Sequence, residues 1–261
     1  MTRTLKEQAR DRALKVGHFV VEFATPGIGH MLTNAGCDFV LFDTEHSGFH
    51  HETIKRALRY FEAAGLPAIV RVPSRSYHHI ARAADMGAEG LMVPMVNDAA
   101  EARAVLDACR YVPEGKRGVA LGIAHDNYAA GPVMAKLAAA NARMTTFLQI
   151  ETAAGVENVE AIAALDGVDA LWIGHFDLSA SLGVPGQFDH PRFTDAVAAV
   201  VAACRRHDKA LGRLVPDVAT GVTLKGQGHD FICYAGDVWV FQAAVKAGVD
   251  AIREGREGDA S

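Results

Sequence analysis

Two carboxylates, Glu151 in FLQIET and Asp177 in WIGHFDLSASLG, each come just after an apolar run. A carboxylate at the end of a buried segment is costly to desolvate without a partner. Two such acids with coordination positions to spare suit a hard divalent cation, Mg²⁺ or Mn²⁺, with Co²⁺ and Zn²⁺ also admitted. The competing role is capping of the helices that follow, which acids in first turns often perform.

A third apolar run ends in FDTEHSGFH and a fourth in AIVRVP. Arg71 is a permanent cation with five donors, suited to a carboxylate or to an oxyanion that develops during a reaction. It could equally form an ion pair with Asp43 or Glu45, and the two roles are compatible. His46 is the side chain here whose ordinary pKa lies near neutrality, which fits acid/base work, and Asp43 is close enough in sequence to orient it.

These residues can act together only if distant segments bring them to one place. Short β-branched or aromatic runs alternate with helix-length amphipathic stretches, the pattern of βα units around a parallel sheet. The spacing predicts eight strands: His18 to Ala24, Phe39 to Asp43, Ala68 to Val72, Gly90 to Pro94, Thr146 to Ile150, Ala170 to Gly174, Ala210 to Val215 and Phe231 to Ala235. Helices with apolar residues three and four apart lie between them, in HETIKRALRYFEAAG, SYHHIARAADMG, DAAEARAVLDACR and FTDAVAAVVAACRRHD. Eight such units indicate a single α/β domain over residues 1–261, a (β/α)₈ TIM barrel, with a doubly wound open sheet as the alternative. In a barrel, His46, Arg71, Gln149, Glu151 and Asp177 all reach the C-terminal mouth. Two long connections, Val96 to Thr145 and His175 to Lys209, begin there too, which makes His125 and His175 candidate substrate contacts.

Composition narrows the partners. The chain has 261 residues, half of them hydrophobic, and a net charge of −5 spread without long runs. Nucleic acid and anionic membrane are therefore poor partners, and a small molecule is the better one. Four scattered cysteines form no CxxC pair, and no stretch reaches the about 20 apolar residues of a membrane span. A charged N-terminus without an apolar run completes the expectation of a cytoplasmic protein.

Three features are set aside. His50, His51, His78 and His79 fall at helix starts, match no metal-ligand spacing, and read as solvated helix faces. Gly27-Ile28-Gly29 follows a strand as a dinucleotide-binding turn would, but Leu32 stands where the third glycine belongs, so a tight helix start is its better use. The eight lysines, at 6, 15, 55, 116, 136, 209, 225 and 246, are placed on helices, loops or the tail. None then projects into the mouth as a Schiff-base aldolase requires.

The segments FDTEH, VRVP, LMVPMV followed by EAR, YVPEGKRGV, LQIET and IGHFDLSASLG, in this order from about residue 18 to 240, resemble the HpcH/HpaI aldolase family, metal-dependent class II pyruvate aldolases. The resemblance implies a barrel whose last helix is exchanged between subunits, in a homohexamer built as a trimer of dimers. It implies Glu151 and Asp177 as metal ligands, His46 as acid/base with Asp43 beside it, Arg71 as the enolate-stabilising cation and Gln149 as a pyruvate contact. The backbone amides of Gly174, His175 and Phe176 would hold the pyruvate carboxylate. His175 and Phe176 depart from the Pro and small residue usual before the metal aspartate, and ALGIAHDNY departs from the usual small loop; both bear on the substrate. The reaction implied is reversible cleavage of a 4-hydroxy-2-oxo acid into pyruvate, or a related 2-oxo acid, and an aldehyde. A metal-dependent lyase or decarboxylase using oxaloacetate or an acyl-CoA ester would need the same enolate. An NAD-linked oxidoreductase and a non-catalytic binder of oxo acids are the remaining alternatives.

Overall fold

Eight parallel strands pair in sequence order and close on themselves. They are β1 (Lys15–Val20), β2 (Phe39–Asp43), β3 (Ala68–Arg71), β4 (Gly90–Val93), β5 (Thr145–Ile150), β6 (Ala170–Ile173), β7 (Ala210–Val215) and β8 (Phe231–Gly236). The helices are α1 (Leu5–Asp11), α2 (Ile28–Asn34), α3 (His51–Ala63), α4 (Tyr77–Asp85), α5 (Ala99–Cys109), α6 (Val133–Arg143), α7 (Ala153–Glu157), α8 (Val159–Ala163), α9 (His175–Ser181), α10 (Pro191–Arg206), α11 (Val218–Gly226) and α12 (Asp237–Arg253). This computed structural model describes residues 3–255. The parallel pairing of β1 with β8 closes the (β/α)₈ barrel and removes the open-sheet alternative.

The strand period of two sorts the core into layers. Phe39, Leu41, Ile69, Met92, Phe147, Trp172 and Phe231 fill the barrel interior, where the Phe231 ring meets Phe39 and Phe147 edge-on at 5.3 Å. Their neighbours Val40, Phe42, Val70, Leu91, Leu148 and Leu171 face outward and pack under the helices. Burying each such side chain contributes roughly 1.5–3 kcal/mol on either face of the sheet, which is why these strands are apolar throughout. Leu5 and Ala9 of α1 join the interior cluster and close the barrel at the N-terminal ends of the strands.

The same alternation aims the chemistry. In β2, Phe39 and Leu41 point inward and Asp43 is the next inward position; in β3, Arg71 follows Ile69 in the same way. Helix starts are tied locally: Asp98 accepts from the Glu101 amide, Thr152 from Gly155 and Asp217 from Thr220. Gly29 belongs to this packing and not to a cofactor turn. A Cβ there would fall 2.7 Å from the Tyr60 carbonyl oxygen, in the last turn of α3.

Two expectations need correction. The first strand spans Lys15–Val20, not His18 to Ala24, because the amides of Val21, Glu22 and Phe23 leave the ladder and donate to the Asp237 carboxylate. As a result Lys15 opens a strand instead of lying in a loop. It is buried at the end opposite the mouth, paired with Asp11, so the lack of a Schiff-base lysine still stands.

The last helix does not fold back onto its own barrel. Of the residues in α12 only Asp237 is buried, and Phe241, Val245, Val249 and Ile252 form an exposed apolar stripe. On the barrel itself Val16, Tyr234, Val218 and Val222 are exposed. Among the described residues no helix is long and apolar enough to cross a membrane.

Candidate active site

Asp43 and Arg71 occupy paired positions of β2 and β3 and are bonded, Arg71 Nε to Asp43 Oδ1, at 2.7 Å. Asp43 is fully buried, and its carboxylate also accepts the backbone amides of Glu45 and His46 at 3.1 Å each. It therefore positions His46 through the main chain. The expected contact between Asp43 and the imidazole is not what forms, because the acid is already bound by the guanidinium and the two amides. The His46 ring is 66% exposed at the rim, its Nε2 3.9 Å from Glu45 Oε2.

Arg71 carries a second acid. Its Nε lies 3.3 Å from Glu45 Oε2, and its guanidinium sits 5.3 Å from the centre of the Phe19 ring. Burial alone would lower the Arg71 pKa, but the Asp43 bond and the charges of Asp43, Glu45 and Glu151 more than offset it and hold it raised.

Glu151 follows β5 and is 2% exposed. It accepts the Met95 amide at 2.6 Å and the Gln149 side-chain amide. Burial pushes its pKa up to about 7; those two bonds oppose the rise, and the charges of Glu45 and Asp177 add to it. Glu45 is likewise pushed up to about 6, by burial first, with Arg71 opposing and Asp43 and Asp177 reinforcing. Asp177 stands exposed in the first turn of α9, close enough to act on both. Three carboxylates thus face one another beside a single guanidinium that Asp43 already partly neutralises.

This donor set fits a divalent cation. Like charges gathered in a partly buried site need a counter-charge, and hard oxygen donors suit Mg²⁺ or Mn²⁺. The buried Gln149 Oε1 has no hydrogen-bond partner and remains available to a ligand. Gly174 keeps the space open, since a Cβ there would fall 2.8 Å from Gln149 Nε2 and from Glu151 Cβ. Among the described residues no group of three or more His, Cys, Asp or Glu is arranged to hold a metal by itself; Glu151 and Asp177 are the carboxylates that would hold one, with positions left for water and substrate.

The amides at the start of α9 divide differently from expectation. Gly174 donates its N–H to the Ile150 carbonyl at 3.2 Å, continuing the β5–β6 pairing, so His175 and Phe176 carry the amides left for a carboxylate. The His175 ring is buried against Phe176 and Phe188, with centroids at 4.6 and 5.2 Å. Burial first, then the charge of Arg213, pushes its pKa down to about 4, so this imidazole is neutral near pH 7. Phe176 is exposed at the rim.

A profile of the HpcH/HpaI aldolase/citrate lyase family matches residues 17–244. The chain belongs to this family. It is 33% identical over 231 residues to the 5-keto-4-deoxy-D-glucarate aldolase of Klebsiella pneumoniae, covering 88% of this chain and 90% of that protein. It is 38% identical over 221 residues to the hydroxypyruvate/pyruvate aldolase of Paraburkholderia phytofirmans, covering 83% and 85% of the two chains. The crystal structure of the HpcH/HpaI aldolase from Desulfitobacterium hafniense superposes with a TM-score of 0.90 at 29% identity, over 96% of this chain and 97% of that one. Like other HpcH/HpaI proteins, the chain is an enzyme of the carbon–carbon lyase class.

For this HpcH/HpaI site, the sequence alone points to one residue too many and one too few. His125 is not at the mouth: its ring is bonded to Tyr111 Oη and the Ala120 carbonyl, and its own carbonyl accepts from Arg143, at the far end of the barrel just before β5. Glu45 reads in the sequence only as an ion-pair partner of Arg71, although in the fold it also faces Glu151 and Asp177. Its signal was the crowding of DTEH itself.

Proposed function

We propose that the protein catalyses the reversible, divalent-metal-dependent cleavage of a 4-hydroxy-2-oxo acid into pyruvate, or a related 2-oxo acid, and an aldehyde. The observation that carries this reading is the meeting of Glu45, Glu151 and Asp177 beside Arg71, an anionic site next to a buried cation. Glu151 and Asp177 would hold the metal, which when bound supplies a Lewis acid for the keto oxygen of the substrate.

The chain's own residues supply the rest. Arg71, locked by Asp43, donates to the oxygen on which charge gathers as the enolate forms, a preorganised stabilisation that costs no rearrangement during reaction. Gln149 lies against the bound oxo acid with its Oε1 free to accept from a water or a substrate hydroxyl, and the amides of His175 and Phe176 take the carboxylate. His46, at the rim, accepts the C4 hydroxyl proton directly or across one water. The C3–C4 bond then breaks, its electron pair passing into the enolate and the aldehyde departing. Protonation at C3 gives pyruvate.

The exposed stripe of α12 and the exposed Val16, Tyr234, Val218 and Val222 support a homo-oligomer in which α12 of one subunit covers the barrel of another, and a hexamer is the assembly proposed.

Pyruvate release tests the activity. EDTA-stripped protein is mixed with 4-hydroxy-2-oxoheptanedioate or 4-hydroxy-4-methyl-2-oxoglutarate, with and without Mg²⁺ or Mn²⁺, and pyruvate is followed with lactate dehydrogenase. Metal-dependent release is expected. Release without any metal would remove Glu151 and Asp177 from their role. If no pyruvate forms and the methyl protons of added pyruvate do not exchange with deuterium, the aldolase reading fails.

A further inference from the structure

The guanidinium of Arg71 rests on the Phe19 ring at 5.3 Å, and Phe19 in turn stacks on Trp239, centroids 5.9 Å apart and planes 23° from parallel. Trp239 belongs to α12, the helix that leaves the barrel. A stack of three side chains therefore joins the root of that helix to the buried cation of the mouth.

The backbone is bent to make this stack. Pairing of β1 with β8 shifts between His18, opposite Tyr234, and Phe19, opposite Gly236, which leaves Ala235 as an extra residue. Ala235 adopts φ 49°, a left-handed conformation unfavourable for a residue with a Cβ. Such bulges re-aim side chains and are frequent beside active sites. Next to it a Cβ on Gly236 would fall 2.7 Å from the Trp239 ring and 3.3 Å from Phe19, so this glycine admits the stack. Asp237 then fixes the arrangement. It is 6% exposed, and its carboxylate accepts four amides: Val21, Glu22 and Phe23 beyond β1, and Val238 in its own helix.

We propose that Asp237 and Trp239 are positioning residues for the reaction: Asp237 clamps the end of β1 to the start of α12, Trp239 backs Phe19, and together they hold Arg71 over a fixed aromatic floor. The inference rests on the assignment of Arg71 to enolate stabilisation. Arg71 is tethered to Asp43 through Nε, and the floor limits tilt of the guanidinium plane about that bond. A guanidinium free to tilt would bind substrate nearly as well and stabilise the developing charge poorly.

The test compares Trp239→Ala with the conservative Trp239→Phe, and adds Asp237→Asn. In the pyruvate-release assay, Trp239→Ala is expected to lower kcat on the order of tenfold to a hundredfold, as sub-ångström misplacement does, with KM near the wild-type value, and Trp239→Phe to restore most of it. In an Arg71→Lys background Trp239→Ala should add little, because both changes act on one interaction. Spectra of protein labelled with ¹⁵N only at arginine supply a readout independent of turnover. The Arg71 Nε–H resonance, assigned by its loss in Arg71→Lys, should move in Trp239→Ala and return in Trp239→Phe. An unmoved resonance, or a full kcat in Trp239→Ala, overturns the inference. Should the wild type neither release pyruvate nor exchange the methyl protons of added pyruvate, the aldolase reading fails by itself and the resonance still decides whether Trp239 positions Arg71; should Asp237→Asn not fold, the two Trp239 variants decide it alone.

Discussion

Asp43 and Arg71 are register partners in neighbouring strands, bonded at 2.7 Å, and the same Asp43 carboxylate holds the amides of Glu45 and His46. One buried acid thus sets both the cation of the site and the loop that carries the imidazole. The pair is structural and chemical at once.

Removing Arg71 should therefore be felt twice. Arg71→Ala is expected to lower turnover on the order of 100- to 1,000-fold. It also leaves Asp43 buried without its counter-charge, a loss of about 3 kcal/mol in unfolding stability. Steady-state kinetics and urea unfolding measure the two separately; near-normal turnover would take Arg71 out of the reaction.

His46 should behave differently, since its ring is 66% exposed and bonded to little. His46→Ala is expected to cost on the order of 100- to 10,000-fold in turnover, while stability changes by about 0.5 kcal/mol or less. The observation against the acid/base role would be a variant with intact kcat and an unchanged pH profile.

The carboxylate cluster predicts how stability depends on pH without metal. Burial first, and then like charges, raise Glu151 to about 7 and Glu45 to about 6, both above the ordinary value of 4.5. The folded state then binds more protons than the unfolded one, so their contribution is complete below pH 4.5 and is lost as pH rises through 6 and 7. A cation relieves the repulsion, so the increase in Tm caused by Mg²⁺ should be larger at pH 8 than at pH 5.5. Thermal unfolding with and without EDTA checks this; an equal increase at both pH values would mean the ion binds elsewhere.

The stripe of α12 makes a prediction about assembly. Val245→Glu and Ile252→Glu should convert an oligomer into smaller species on size-exclusion chromatography with light scattering, because a charge buried at a contact is costly. A monomeric wild type, or variants that assemble normally, would refute the covered helix.

Much of this site was legible because Asp43 and Arg71 end apolar strands and Gln149 stands one residue before the end of another, which places all three at the same end of the sheet. Glu151 and Asp177 were legible as acids placed just past such strands. What escaped was set by partners far away in the chain. The end of β1 depends on Asp237, 216 residues beyond Val21, and no local pattern carries that bond. His125 was misplaced because the length of a connection does not tell which end of the barrel a given loop residue occupies. Lys15 looked like a loop residue only because the strand start was set too late. Glu45 became significant only when the fold brought Asp177 and Glu151 to it.

With Leu5 and Ala9 seated under the strands, the barrel has a stopper at one end and a doorway at the other. Everything that enters must leave by the way it came. In the reaction proposed above, an oxo acid held against Gln149 and Arg71 would lie deeper than anything handled by His46 at the rim, so traffic would be first in, last out: the oxo acid seated before its aldehyde partner in synthesis, and the aldehyde shed before pyruvate in cleavage.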